Sequence, residues 1–108
     1  MSIGIGRRSI DALITEREFQ AQVESLLDLT GWLYFHVHYA KRSAGAGFPD
    51  IFAVKGRRLL AAELKTERGR PTLEQLAWLE RLKHAGVETH LWRPSQWSEI
   101  EEVLTRAH

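Results

Sequence analysis

The stretch between residues 47 and 65 constrains the fold of this chain more than any other. Two apolar runs flank Val54-Lys55-Gly56-Arg57-Arg58. A two-residue Gly-X loop is a standard connection for a tight β-hairpin. With Gly56-Arg57 as the loop, Lys55 pairs with Arg58, and the same register sets Asp50 directly opposite Glu63. Directly opposed side chains have Cβ atoms roughly 5 Å apart. Two carboxylates that close repel, which destabilises a sheet unless something offsets the repulsion. A divalent cation does so. Lys65 lies two residues past Glu63 and projects from the same strand face. Two acids and a lysine on one face suit a hard metal held by oxygen ligands with a cationic helper beside it.

The rest of the chain supplies elements that can pack against this hairpin. Thr15-Glu-Arg-Glu18 is a capping box, with Thr at the N-cap and Glu three residues on. The helix it opens carries Phe19, Val23, Leu26 and Leu27 at helical spacing, runs to about Leu29 and stops at Gly31. Residues 32–39 read as a strand rich in aromatic and β-branched side chains. Residues 41–49 form a basic, flexible loop. Strands near 50–55 and 58–65 follow, then a loop over 67–71. Thr72-Leu-Glu-Gln75 is a second capping box, opening a helix to about Ala85 with Gly86 as its stop. Residues 87–93 read as a fourth strand. Pro94-Ser95 starts a last helix with Ile100, Val103 and Leu104 as its apolar stripe. The order α-β-β-β-α-β-α predicts an α/β fold, a mixed four-stranded sheet with helices on both faces. Residues 1–14, with Gly4, Gly6 and Arg7-Arg8, are expected to be a flexible lead-in, and residues 15–108 a single domain.

Composition narrows the function. The chain has no cysteine, which removes disulfides, thiolate zinc sites and thiol catalysis. No apolar run approaches the ~20 residues of a membrane span. The N-terminus lacks the apolar segment of a secretory signal, so a cytoplasmic location is expected. Net charge is only +1, but residues 40–70 hold eight Lys/Arg against Asp50, Glu63 and Glu67, a net of +5, which leaves −4 for the remainder. The basic charge therefore surrounds the two acids. A polyanion such as nucleic acid is the natural partner of that patch, against the plainer reading of a solvated basic face.

Several other polar residues stand at informative positions. Glu16 lies three, four and seven residues before Phe19, Gln20 and Val23, on the core-facing side of its helix. It is either a first-turn acid favoured by the helix dipole or a group pointed at a site. Gln75 can serve its capping box, yet Trp78, Leu79 and Leu82 place it on the apolar face, where a polar group needs a partner. His36 and His38 share one strand face, and no third ligand at supporting spacing turns them into a metal site. A polar strand face beside a basic groove is the favoured reading. The four tryptophans read as core. Lys41, Arg42 and Ser43 are candidate phosphate contacts on their loop, with Arg68 and Arg70 on the loop after the second acid.

Gly47-Phe-Pro-Asp50 and Glu63-Leu-Lys65, with an acid on the first helix, resemble the PD-(D/E)xK nuclease superfamily. Thr15-Glu16…Phe19-Gln20, Gly31-Trp32, His36-Val-His38, Glu63-Leu-Lys65-Thr66, Gln75 with Trp78-Leu79, and Trp92-Arg-Pro94 make the chain look like the VRR-NUC (virus-type replication-repair nuclease) family in particular. The resemblance runs from about Thr15 to Leu104. A bare Pro-Asp…Glu-x-Lys is a weak signal, and the full set in order is a strong one.

That resemblance implies a restriction-endonuclease-like core and a metal-dependent DNA endonuclease. Asp50 and Glu63 would ligate Mg²⁺, with Mn²⁺ able to substitute, and the backbone carbonyl of Leu64 would add an oxygen. Lys65 would orient or help deprotonate the attacking water. Glu16 matches the first-helix acid and would complete the site through water or a second metal. Gln75 matches the second-helix glutamine and would support Lys65 or a phosphate. With no separate recognition domain, the expected substrate is DNA structure (branches, flaps, four-way junctions) in replication, repair or recombination. A homodimer and replication or repair proteins are the expected partners. A non-catalytic nucleic-acid-binding module that assists such a protein is the alternative.

Overall fold

The computed structural model describes residues 7–36 and 46–106, with the backbone alone for 7–9. Its elements are α1 (Arg7–Leu13), α2 (Glu16–Leu29), β1 (Leu33–His36), β2 (Ile51–Lys55), β3 (Arg58–Leu64), α3 (Leu73–His84), β4 (Glu88–Trp92), a 3-10 turn (Pro94–Gln96) and α4 (Trp97–Thr105). The sheet order is β1-β2-β3-β4. The first three strands are antiparallel, and β4 joins β3 in parallel after the α3 crossover. This is the expected mixed four-stranded α/β architecture.

Both long helices start and stop where their sequences direct. Thr15 Oγ1 accepts the Glu18 N–H at 3.1 Å, and Glu18 Oε1 accepts the Thr15 N–H at 2.9 Å. These bonds, first among them the backbone one, hold the Glu18 carboxyl below its ordinary range. At the other end of α2 the Trp32 N–H reaches the Leu27 carbonyl at 3.0 Å and the Gly31 N–H reaches Asp28 at 3.3 Å. Gly31 has φ +86°. That is a Schellman motif, which only a residue tolerant of the left-handed region closes without strain. The same pair of bonds recurs after α3, from Val87 to Leu82 and from Gly86 to Lys83, both at 3.0 Å. Each motif turns a helix directly into a strand.

One sheet face holds the core. Ile51, Ala53, Leu60, Ala62 and Leu64 meet Phe19, Val23 and Leu27 of α2 and Ile100, Val103 and Leu104 of α4. Trp32 and Trp92 are core residues as well, and Trp97 packs against them. The Trp32 indole N–H is satisfied by the Leu104 carbonyl at 3.0 Å. The opposite face meets α3 through Phe48, whose ring lies 4.9 Å from Trp78 and 5.6 Å from Phe52. In β3 every residue from Leu60 to Leu64 is buried, as befits a central strand covered on both sides.

Two expectations are corrected, and a third is described only in part. Residues 7–13, read as part of a loose lead-in, form α1, which packs against the 3-10 turn and buries Asp11 completely. The strand expected over 32–39 is described only as Leu33–His36, and residues 37–39 lie outside the described residues. The last helix does not begin at Pro94, because Pro94–Gln96 is one turn of 3-10 helix and α4 starts at Trp97.

Candidate active site

The hairpin has the register that its sequence predicts. Lys55 faces Arg58 and Ile51 faces Ala62. Gly56 has φ +58°, and no non-glycine residue among those described has a positive φ, so the loop has the type II′ pattern. One step beyond Ile51 and Ala62, the register brings Asp50 to Glu63. Asp50 Oδ2 accepts the Leu64 N–H at 2.9 Å, which fixes that carboxylate across the hairpin end.

Two further contacts hold the Asp50 turn. Pro49 is buried. Gly47 has φ +87°, and a Cβ there would lie 2.7 Å from the Glu74 carbonyl carbon and 2.9 Å from the Gln75 nitrogen. Only glycine permits both that backbone conformation and that approach. The start of α3 therefore presses directly on the segment that delivers Asp50.

Glu63 is 1% exposed. Burial, and then the charge of Asp50, push its pKa up to about 8, against the opposing pull of Lys65. Lys65 Nζ stands 3.3 Å from Glu63 Oε2. Glu63 Oε1 is buried with no hydrogen-bond partner among the described residues. A buried carboxylate oxygen left without a donor is costly. A divalent cation between Asp50 and Glu63 would satisfy that oxygen and offset the carboxylate repulsion together. The donor set, two carboxylates, is of the hard-oxygen kind that Mg²⁺ takes.

The other predicted site residues are placed as follows. Glu16 is the first residue of α2 and is exposed, so its position does not bear out an inward-facing side chain. Among the described residues no group of three or more His, Cys, Asp or Glu stands close enough to hold a metal. Gln75 fills its capping role, its Oε1 accepting the Thr72 N–H at 2.8 Å. Arg68 and Arg70 are exposed on the loop that follows Lys65. Lys41, Arg42, Ser43 and His38 lie outside the described residues.

Two features escaped sequence reasoning. Glu24 gathers a polar cluster at the edge strand: Gln20 Nε2 donates to it at 2.8 Å, His36 Nδ1 lies 3.3 Å away, and Tyr34 Oη lies 3.5 Å away. Burial, and then the charges of Asp28 and Glu24, raise the Tyr34 pKa. The spacing Gln20–Glu24, one helical turn on from Glu16, was the available signal. The second is Arg93, whose guanidinium donates to three carbonyls of the loop after Lys65. The motif Trp92-Arg-Pro94 marks its position, but no spacing in the sequence points to the contacts it makes.

No protein-family model matches the sequence. No curated protein matches it either. Among solved structures, the chain is similar to one described as a "VRR_NUC domain", with a TM-score of 0.67 and 22% identity over 87% of this chain and 98% of the other. The chain therefore has the fold of a VRR-NUC domain, a restriction-endonuclease-like mixed sheet flanked by helices. At that identity the likeness speaks to the fold, and function rests on the site.

Proposed function

We propose that this protein is a metal-dependent nuclease that hydrolyses phosphodiester bonds in DNA. The observation that carries the reading is the Asp50–Glu63 pair at the hairpin end, with Lys65 alongside and a buried Glu63 oxygen that has no hydrogen-bond partner among the described residues. The resemblance of its motifs to VRR-NUC nucleases and the shared fold both support it.

Asp50 and Glu63 would hold Mg²⁺ or Mn²⁺, with the Leu64 carbonyl as a further ligand. The ion supplies a Lewis acid for the phosphoryl oxygens and lowers the pKa of water. The chain's own residues supply the rest. The Leu64 N–H orients Asp50. Lys65, mostly buried and tethered to Glu63, directs its ammonium at the attacking water and at charge growing on the phosphate. Glu16 reaches the site through water, and the amide NH2 of Gln75 supports Lys65 or a phosphate. Arg68 and Arg70, with Lys41, Arg42 and Ser43, contact the DNA backbone, so affinity falls steeply with salt.

The substrate is DNA selected by structure: a branch, flap or four-way junction. One site cuts one strand, so paired cuts call for a homodimer, whose twofold symmetry suits a symmetric junction. A species that sediments as a monomer both free and on DNA would refute that assembly. Replication or repair proteins are the natural associates of such an activity.

The test is cleavage of labelled single strand, duplex, flap and four-way junction with Mg²⁺, Mn²⁺ or EDTA. Cutting that EDTA and Lys65→Ala both abolish is the expected result. Tight DNA binding without cutting in any metal would overturn it in favour of a non-catalytic nucleic-acid-binding module. Cutting of RNA alone would move the substrate class.

A further inference from the structure

Beyond the parallel pair β3–β4, the two chain segments stay clasped. The Lys65 N–H donates to the Trp92 carbonyl at 3.0 Å. The Ser95 N–H donates to Glu67 Oε2 at 2.7 Å. Between them, Arg93 Nη1 donates to the carbonyls of Thr66 at 2.7 Å, Glu67 at 3.2 Å and Gly69 at 2.7 Å. The loop itself is a tight turn, with the Gly69 N–H on the Thr66 carbonyl at 3.2 Å and on Thr66 Oγ1 at 3.0 Å. A Cβ at Gly69 would sit 2.9 Å from that hydroxyl oxygen.

Three carbonyl oxygens drawn toward one point repel one another. A guanidinium nitrogen, cationic and carrying two N–H groups, is suited to hold them. With its carbonyls turned inward, the loop presents Arg68 and Arg70 to solvent. It also starts at Lys65, so whatever fixes the loop fixes where Lys65 leaves its strand.

We infer that Arg93 is a positioning residue: its guanidinium holds the 66–69 turn so that Arg68 and Arg70 face a DNA phosphate beside Lys65. This rests on the nucleic-acid reading above. Arg93 acts through the turn and does not itself touch the phosphate.

The experiment compares five proteins: wild type, Arg93→Met, Arg93→Lys, Arg68→Gln/Arg70→Gln, and the triple variant with Arg93→Met. Binding to a labelled four-way junction in EDTA is measured over a salt series. Each phosphate contact contributes about 0.9 to the slope of log K against log salt. The double variant should lower that slope by about 2, Arg93→Met should lower it by about the same, and the triple variant should fall no further. Arg93→Lys should recover part of it. A DNA-free readout accompanies the series. Trypsin should cut after Arg68 at least tenfold faster in Arg93→Met than in wild type, with unchanged near-UV circular dichroism showing that the fold persists.

An Arg93→Met slope equal to wild type would overturn the proposal. So would a triple variant that loses a further contact, since Arg93 would then touch phosphate directly. Should Arg93→Met fail to fold, Arg93→Gln, which lacks the cation, carries the same comparison, and a wild-type slope and trypsin rate there would overturn the proposal. If wild type binds no DNA, the nucleic-acid reading itself falls and this inference with it. Unchanged binding in Arg93→Met against firm wild-type binding sinks this inference alone.

Discussion

Removing the charge of Glu63 should stabilise the metal-free protein above neutral pH, although the substitution is made in an intended metal ligand. Glu63 ionises at about 8 in the folded protein, against 4.5 for an ordinary glutamate, with burial as the first cause and Asp50 as the second. The folded state therefore holds a proton that the unfolded chain has already lost. Stability falls with pH wherever the folded state binds more protons, so the loss begins near the ordinary glutamate pKa and levels off above about pH 8. One proton corresponds to a slope of about 1.4 kcal/mol per pH unit. Between about pH 5 and about pH 7.5 this contributes a loss of roughly 3 kcal/mol. Glu63→Gln has no such proton to hold. Denaturant unfolding in EDTA across that range should show wild type losing roughly 3 kcal/mol relative to the variant. Asp50→Asn should recover only part of the loss, because burial remains. Adding Mg²⁺ or Mn²⁺ should restore wild type most strongly at the alkaline end, where the carboxylate needs no deprotonation, and should leave Glu63→Gln nearly unchanged. Parallel pH profiles for wild type and Glu63→Gln in EDTA would refute the reasoning. Equal stabilisation of both by metal would refute the assignment of Glu63 as a ligand.

Three further outcomes follow from the same contacts. Lys65→Ala should lower cleavage by about 10²–10⁴-fold, the usual worth of a positioned proton-transfer group, with DNA affinity changed far less in a binding assay in EDTA. Gly47→Ala meets both a positive φ and the Glu74 backbone 2.7 Å away, and should cost at least about 1–3 kcal/mol in denaturant unfolding, with a loss of activity through Asp50. Arg58 is 3% exposed, donates two 2.8 Å bonds to Glu88 and lies 4.8 Å from the Trp32 ring centroid. Arg58→Ala should cost about 2 kcal/mol, less than a fully buried pair because Glu88 is one-third exposed. Hydrogen bonding from Arg58 is the first cause holding the Glu88 carboxyl below its ordinary range. Its contribution is therefore complete above the ordinary glutamate pKa and is lost as pH falls through the depressed one, so the gap between wild type and Arg58→Ala should close in acid.

What the sequence disclosed and what it hid divide along one physical line. The hairpin register was legible because every term that sets it is local: a glycine loop, two apolar runs of period two, and paired ends. The Asp50–Glu63 conflict follows from that register alone, which is why a candidate metal site appeared before any tertiary contact was known. The helix stops were legible for the same reason, since Gly31 and Gly86 each close a Schellman motif spanning a few residues. Helix α1 was not legible, because RRSIDAL carries little periodic signal and its packing partner is the turn at Pro94–Gln96, some eighty residues away. Glu16 kept two readings in the sequence because helical periodicity assumes the core continues under the first turn, whereas burial here begins only at Phe19 and Glu16 is an exposed first-turn acid. The role of Arg93 was invisible for a stronger reason, although Trp92-Arg-Pro94 stands among the motifs. Its partners are main-chain carbonyls 24 to 27 residues upstream, and backbone acceptors have no residue type to pattern. Sequence periodicity registers what a side chain buries, whereas what it holds in place at a loop emerges only when the strands have been paired. The acids of this site were therefore readable from the chain, and the residues that aim its cations were not.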